Sequence, residues 1–308
     1  IKTIAKKFNL REKLIEAELD KYLGHNTQQA EMHAKYKRKA IEQSQEDTAD
    51  SGSPASAKFE LEIITLLFEG MEEILDIIFD HILPEELTNK QFRKFSREHS
   101  SSNLKGYSLN GERQPVVNVT WLQAVKFCNW LSKQEHLTQV YQLEAGKVIS
   151  FDKNANGYRL PTEAEWAWAA RYQDHQMLKY NWGKMLPPPA VVTNIADVTA
   201  AAILGSIQAT YHDNYVVSAP VASFSANKKG LYDLSGNVAE WSHDFYAINT
   251  GLSLKKEENP MGPLTGDYHV IRGASWAQGS RIELRLSYRD YGNDKRNDLG
   301  FRLARYAQ

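Results

Sequence analysis

Apolar positions three and four residues apart mark the first part of the chain. Ile4 and Phe8, then Ile15, Leu19, Tyr22 and Leu23, recur at that spacing among dense charge, which predicts a helix. Gly24 with Asn26 breaks the pattern, and a more polar helix through Met32, Tyr36 and Ile41 completes a helical hairpin over residues 1–43. Neither apolar stripe is wide enough for a core of its own, so the hairpin is expected to dock on the rest of the protein or on a partner. Residues 44–58 are small and polar, the composition of a linker. Glu72, Glu73, Asp76 and Asp80 then alternate with Ile74, Leu75, Ile78, Phe79 and Ile82 at a helical period that Pro84 stops.

Beyond residue 105 the pattern changes to short segments separated by Gly, Asn and Pro, with two helices among them. The first opens on Thr120 and Gln123 as a capping box, with Trp121, Ala124, Val125, Cys128 and Leu131 on one face. The second follows Pro161, with Thr162 and Glu165 as the box and Trp166, Ala169 and Ala170 facing inward. Two helices amid many short strands predict an α+β domain.

Composition narrows the chemistry. The chain has 308 residues, 37 Lys and Arg against 38 Asp and Glu, a formal net charge of -1 and a single cysteine. One Cys excludes a disulfide framework, a four-thiolate zinc site and a CxxC pair. Near-neutral charge argues against a bulk electrostatic grip on nucleic acid, and none is expected as a partner. No apolar run reaches the roughly 18 residues that a membrane helix needs, so no transmembrane segment is predicted. The chain begins at Ile1 rather than Met, which fits removal of a leader or lipid-anchor segment. All seven Trp lie between Trp121 and Trp276, and 13 of the 15 Tyr lie at or after Tyr107, so the aromatic core belongs to the second part of the chain.

Several motifs have plain structural readings. Asp152, Asn154, Asn156, Gly157 and Glu163 match a calcium-loop pattern, but Val148 to Phe151 read as a strand where a helix should enter, and Pro161 interrupts the loop. A hairpin turn at Asn156-Gly157 followed by a capped helix accounts for the same letters. Asn118-Val119-Thr120 is a glycosylation sequon by pattern, with Thr120 better used as a cap. Cys128, on an apolar helix face, reads as a buried inert thiol. The nine His include no HExxH or HxxxH pair.

A series of segments carries a resemblance. Glu86-Leu87-Thr88-Asn89-Lys90-Gln91-Phe92, Pro115 to Trp121, Cys128-Asn129-Trp130-Leu131, Gly157 to Trp166, Asn181-Trp182-Gly183, Gly230 to Trp241, Ile271 to Trp276 and Gly300-Phe301-Arg302 together resemble the formylglycine-generating enzyme (sulfatase-modifying factor) family. The resemblance covers residues 87–306 of a domain placed at 59–308. It implies that family's variant of the C-type-lectin-like fold, low in regular secondary structure and rich in buried Trp. It also implies one or two structural calcium ions. Asn194 and Asp213 would serve the first with carbonyls of Ile195 and Tyr215; Asp233 and Glu240 would serve the second with carbonyls of Gly236 and Val238. Oxygen ligands of this kind suit a hard cation.

The family's reaction is expected to be absent. Its active members use two cysteines to bind copper and oxidise a substrate cysteine, and the spacing from Gly273 puts Gln278 and Glu283 at those positions. Copper(I) needs soft donors, so no copper and no catalytic residue are expected. The segment 273–302 reads instead as a binding surface, with Trp276, Gln278, Ser280, Arg281, Glu283, Tyr288, Arg289, Asp290, Tyr291, Asn293 and Arg296 alternating with core positions Ile282, Leu284 and Leu286. It also resembles the variable region of lectin-fold proteins diversified by retroelements. Arg272, Arg285 and Arg302 read as framework residues paired to carboxylates.

Three functions stay open. The first is a non-catalytic, calcium-stabilised binding or assembly module that meets a protein partner or larger complex through its N-terminal helices and its lectin-like face. The second is a metal-dependent oxidoreductase of the same superfamily, of the formylglycine-generating or iron-dependent sulfoxide synthase type; the latter needs an H-x3-H-x-E signature that His25, His33, His81 and His99 do not form. The third is an envelope regulator of a kinase or secretion system. A periplasmic or cell-surface location is suspected.

Overall fold

The computed structural model describes residues 82–173, 176–248 and 260–306, so the predicted hairpin at 1–43, the linker at 44–58 and the helical pattern from Glu72 to Asp80 lie outside the described residues. Residues 82–246 and 261–305 make up one unit, and its architecture is α+β with little regular secondary structure.

The unit opens at Ile82, which pairs with Ala304 in an isolated antiparallel bridge. Its place in the helical period therefore does not hold: Pro84 two residues later prevents the backbone from continuing as helix, and pairing satisfies it instead. Helix α1 (Asn89–Phe95) follows, capped by Thr88 and Gln91 in a reciprocal box. A two-stranded ribbon, β1 (Asn103–Leu104) with β2 (Tyr107–Ser108), leads to helix α2 (Trp121–Gln134). Here Thr120 and Gln123 cap the N-terminus as predicted, and Trp121, Ala124, Val125 and Cys128 are buried. Phe127 is buried too, and stacks on Phe92 of α1 at 5.5 Å.

Strands β3 (Tyr141–Glu144) and β4 (Lys147–Phe151) form a hairpin. Its turn falls at Ala145-Gly146, with φ 47° and 79°, rather than at Asn156-Gly157. A two-residue turn of this hand needs positive φ at both positions, which Gly146 adopts without strain. Gly157 has a different reason to be glycine: a Cβ there would lie 2.3 Å from the Thr138 carbonyl oxygen and 2.6 Å from Ser132 Oγ.

Helix α3 (Glu163–Arg171) carries the second predicted box, Thr162 with Glu165, and buries Trp166, Ala169 and Ala170. A short ribbon, β5 (Tyr172–Gln173) with β6 (Gln176–Met177), and a 3-10 turn at Val198–Ala200 come next. The central sheet is made last, from β7 (Ala239–Phe245), β8 (His269–Arg272), β9 (Arg289–Gly292) and β10 (Leu299–Gly300), in the order β10-β7-β8-β9. Only β10 and β7 run parallel within it.

Indole donors knit the sheet to the helices. Trp121 Nε1 donates to the Ser242 carbonyl at 2.9 Å, Trp241 Nε1 to the Val119 carbonyl at 3.0 Å, and Trp166 Nε1 to Glu240 Oε2 at 2.9 Å. Each buried Trp so placed fills core volume and satisfies its one polar atom.

Candidate ligand surface and buried carboxylate clusters

The segment 273–302 runs from the end of β8 through β9 and β10, and only part of it faces outward. Arg281, Tyr291 and Asn293 are exposed, while Gln278, Ser280, Glu283, Tyr288 and Arg289 are half-buried. Trp276 is not a surface residue: at 1% exposure it packs with Leu109, Val117, Val217 and Val238. Ile282, predicted as core, is 65% exposed, whereas Leu284 and Leu286 are buried as predicted. The cause is local. Leu284 N donates to the Ser280 carbonyl and Arg285 N to the Ile282 carbonyl, so residues 280–285 wind into turns and the alternation of a strand does not apply.

The two positions that the resemblance matched to the family's thiols each close a local turn. Gln278 Oε1 accepts from Ser275 N at 3.1 Å, and Glu283 Oε2 accepts from Ser280 N while Glu283 N donates to Ser280 Oγ, both at 3.3 Å. Cys128 is fully buried in α2, and burial pushes its thiol pKa up, which makes it inert.

Sequence reasoning missed two aromatic members of the surface. Tyr246, at the end of β7, stacks on Tyr291 at 4.3 Å, and Tyr268, just before β8, lies 5.2 Å from the same ring. The Arg289 guanidinium sits 4.9 Å from the Tyr246 ring centre and binds Glu163, with Nη2 to Oε2 at 2.8 Å. Arg296 holds Asp290 at 2.6 Å and Asp298 at 3.0 Å. Tyr246 follows β7 and Tyr268 precedes β8, so the β7-β8-β9 pairing is what brings them to Tyr291.

Glu163 also lies 3.7 Å from Arg272, and its carboxylate is fully engaged at the first turn of α3. Arg272 and Arg289 thus occupy the carboxylate that the calcium-loop pattern would need at its twelfth position. Asn118 uses its side-chain amide on the Ser101 carbonyl at 2.7 Å.

The residues that the resemblance assigned to metal fall into two buried groups. In the first, Asp213 accepts from Ile195 N at 3.0 Å and from Tyr215 N at 2.8 Å. Asp197, buried beside it, accepts from Asp213 N. Burial first, with the Asp197 charge adding to it, pushes the Asp213 pKa up to about 7. Neither carboxylate has a cationic partner in ion-pair range among the described residues, and Asn194 Oδ1 is buried without a hydrogen-bond partner.

In the second group Asp233 and Glu240 are joined by Glu86, which the sequence reading left out. Glu86 is 1% exposed, its Oε2 has no hydrogen-bond partner, and burial, then the Asp233 charge, raises its pKa well above the usual carboxylate range. Glu240 is gripped by Arg302, with Nη2 to Oε1 at 2.6 Å and Nε to Oε2 at 2.7 Å. One guanidinium thus faces three buried carboxylates. Asn237 connects the two groups: its Nδ2 donates to Glu86 Oε1 at 3.1 Å, and its Oδ1 accepts from Ala219 N at 2.8 Å and Asn194 Nδ2 at 3.3 Å. No three His, Cys, Asp or Glu side chains converge at metal-binding spacing among the described residues, so a cation in either place must draw amide and main-chain oxygens into its shell.

This combination of few helices, an irregular backbone and tryptophans wired to a small mixed sheet defines the class, a lectin-like α+β domain of the formylglycine-generating type. The chain belongs to the sulfatase-modifying factor enzyme 1-like domain family, whose model matches residues 80–307. It is 29% identical over 200 residues to the formylglycine-generating enzyme of Mus musculus, covering 64% of this chain and 45% of that enzyme. It is 30% identical over 196 residues to the serine/threonine-protein kinase pkn1 of Chlamydia pneumoniae, covering 63% of this chain and 24% of the kinase. The chain thus spans less than half the length of these relatives. Among solved structures, Treponema denticola variable protein 1 superposes with a TM-score of 0.57 at 28% identity, over 72% of this chain and 82% of that one.

Proposed function

We propose that this chain is a non-catalytic binding or assembly module, calcium-stabilised, that recognises a protein or other ligand through the surface of segment 273–302. The observation that carries this reading is the fate of Gln278 and Glu283. Each supplies an oxygen to its own turn and neither can act as a soft ligand, so the family's copper chemistry has no donors here. What the segment offers instead is Arg281, Tyr291 and Asn293 in the open, backed by Tyr246, Tyr268 and Arg289. Rigid aromatic rings beside adaptable polar groups suit recognition at low entropic cost.

Two facts support calcium: the donors are all oxygen, and buried oxygens of Asn194 and Glu86 have no partner. Asn194, Ile195, Asp213 and Tyr215 would hold the first ion, and Asp233, Gly236, Val238 and Glu240, with Glu86 beside them, the second. In the first group an ion would supply the positive charge that Asp197 and Asp213 lack, and in the second it would add to that of Arg302. A calcium-rich setting outside the cytoplasm would keep such sites filled. The similarity to pkn1 favours a second reading, in which the module regulates a kinase rather than assembling a complex.

Metal analysis of the purified chain, paired with thermal melts before and after chelation, tests the proposal. Calcium at one or two equivalents and a melting temperature that falls on chelation are expected, because an ion bound to the folded state stabilises it by mass action. Stoichiometric copper or iron would overturn the binding-module reading. Pull-downs with and without residues 1–57 then decide whether the N-terminal segment or the 273–302 surface recruits the partner.

A further inference from the structure

An open depression of about 440 Å³ lies between the loop that carries β2 and the loop after Asp213. Its apolar wall is formed by Tyr107, Tyr215, Val216, Val217 and Pro220, and Arg113 stands at its side. The volume falls in the range of small-molecule sites, which are mostly apolar with a few placed polar groups.

Three features make it a built site. First, its two walls are fastened together. Gln114 Nε2 donates to the Ser218 carbonyl at 2.6 Å and the Ser108 carbonyl at 3.1 Å, while its Oε1 accepts from Gly111 N at 2.8 Å. Second, the Arg113 backbone is fixed, since its carbonyl accepts from Val221 N at 2.9 Å. Third, Arg113 is exposed and its guanidinium makes no hydrogen bond or ion pair among the described residues, so its donors are open to a ligand. The neighbouring carboxylate, Glu112, is turned to Lys90 at 3.0 Å, and no acidic side chain lines the depression. An unpaired guanidinium beside aromatic and aliphatic walls recognises a planar anion attached to an apolar body.

We infer that this depression binds a small aromatic carboxylate, with Arg113 as the anchor of the carboxylate and Tyr107, Tyr215 and Val216 around the ring. Tyr215 and Val217 also border the first carboxylate group and Trp276, so the titration is run with and without chelator to keep an effect of an ion apart from binding at Arg113.

Titration of the full chain with 4-hydroxyphenylacetate, followed by ligand-detected NMR and calorimetry, tests it. A saturable Kd of about 1 mM or tighter is expected for a ligand of this size. Arg113→Gln should weaken binding about tenfold, as should replacing the acid by its neutral amide, because both remove the charge-assisted pair. Val216→Trp, which fills the depression, should abolish binding while the circular dichroism spectrum stays that of the parent. Absence of saturation up to 10-fold above that Kd would overturn the inference. So would equal binding of acid and amide, or unchanged affinity in Arg113→Gln.

Discussion

Arg302 and Glu240 show how a single pair can hold an irregular fold. Both side chains are essentially unexposed, and the guanidinium also donates to the Pro84 carbonyl at 3.0 Å and the Tyr232 carbonyl at 2.8 Å, tying three loops to β7. Arg302→Met removes the one guanidinium that faces three buried carboxylates, and chemical unfolding in chelator should show a loss of about 3–5 kcal/mol. Titration behaviour belongs to this scale too. Burial, reinforced by the Glu163 charge, pushes the Asp244 pKa up from 3.8 to about 8. The folded protein then keeps a proton that the unfolded chain gives up, so this contribution is whole below pH 4 and is lost as pH rises through about 8. His243 and His269 act in the opposite sense, since burial lowers them from 6.5 to about 3 and about 4, and their contribution disappears as pH falls through that interval. Melting temperature should therefore peak at mildly acidic pH, and Asp244→Asn should reduce the alkaline slope to the share that Asp213 and Glu86, raised in the same sense, still carry. An alkaline slope unchanged by this substitution would place its origin elsewhere.

Elements were readable where the signal is local. Both boxes read from Thr120-Gln123 and Thr162-Glu165 open helices with their side chains in place, because capping needs only residues three apart. Thr162→Ala should cost about 1 kcal/mol in unfolding free energy. The Asn156-Gly157 turn failed because a glycine has two meanings that the letters do not separate, positive φ or lack of room. At 157 it is lack of room, and Gly157→Ala should destabilise by about 1–3 kcal/mol in urea titration through overpacking. Gly236 lies under the same constraint, with a Cβ falling 2.2 Å from Thr193 Oγ1 and 2.4 Å from the Asn194 carbonyl oxygen. Ile282 failed for a related reason: the Ser280-Glu283 hydrogen bonds turn the chain, and a period-two reading cannot see a turn made within what looks like a strand.

At the scale of the whole molecule, Asn237 joins what the sequence separates. Its side chain and main chain touch Glu86, Asn194, Ala219 and Trp276, so one residue links both carboxylate groups to the buried Trp276. Asn237→Ala leaves several buried polar groups unpaired and should cost about 3 kcal/mol or more. It should also reduce the dependence of the melting temperature on chelation, and an unchanged chelator response would separate the two groups. The sequence by itself determined the family, the starts of α2 and α3, the α+β class and the single cysteine, because each is written in residue identity at short or fixed spacing. Tertiary structure decided that Trp276 is core, that Glu86 completes a carboxylate cluster, that Tyr246 and Tyr268 belong with Tyr291, and that Arg113 faces an open depression. Those facts depend on strand pairing and on burial between segments as far apart as Glu86 and Asn237, and no local periodicity encodes which distant backbone will supply the neighbour.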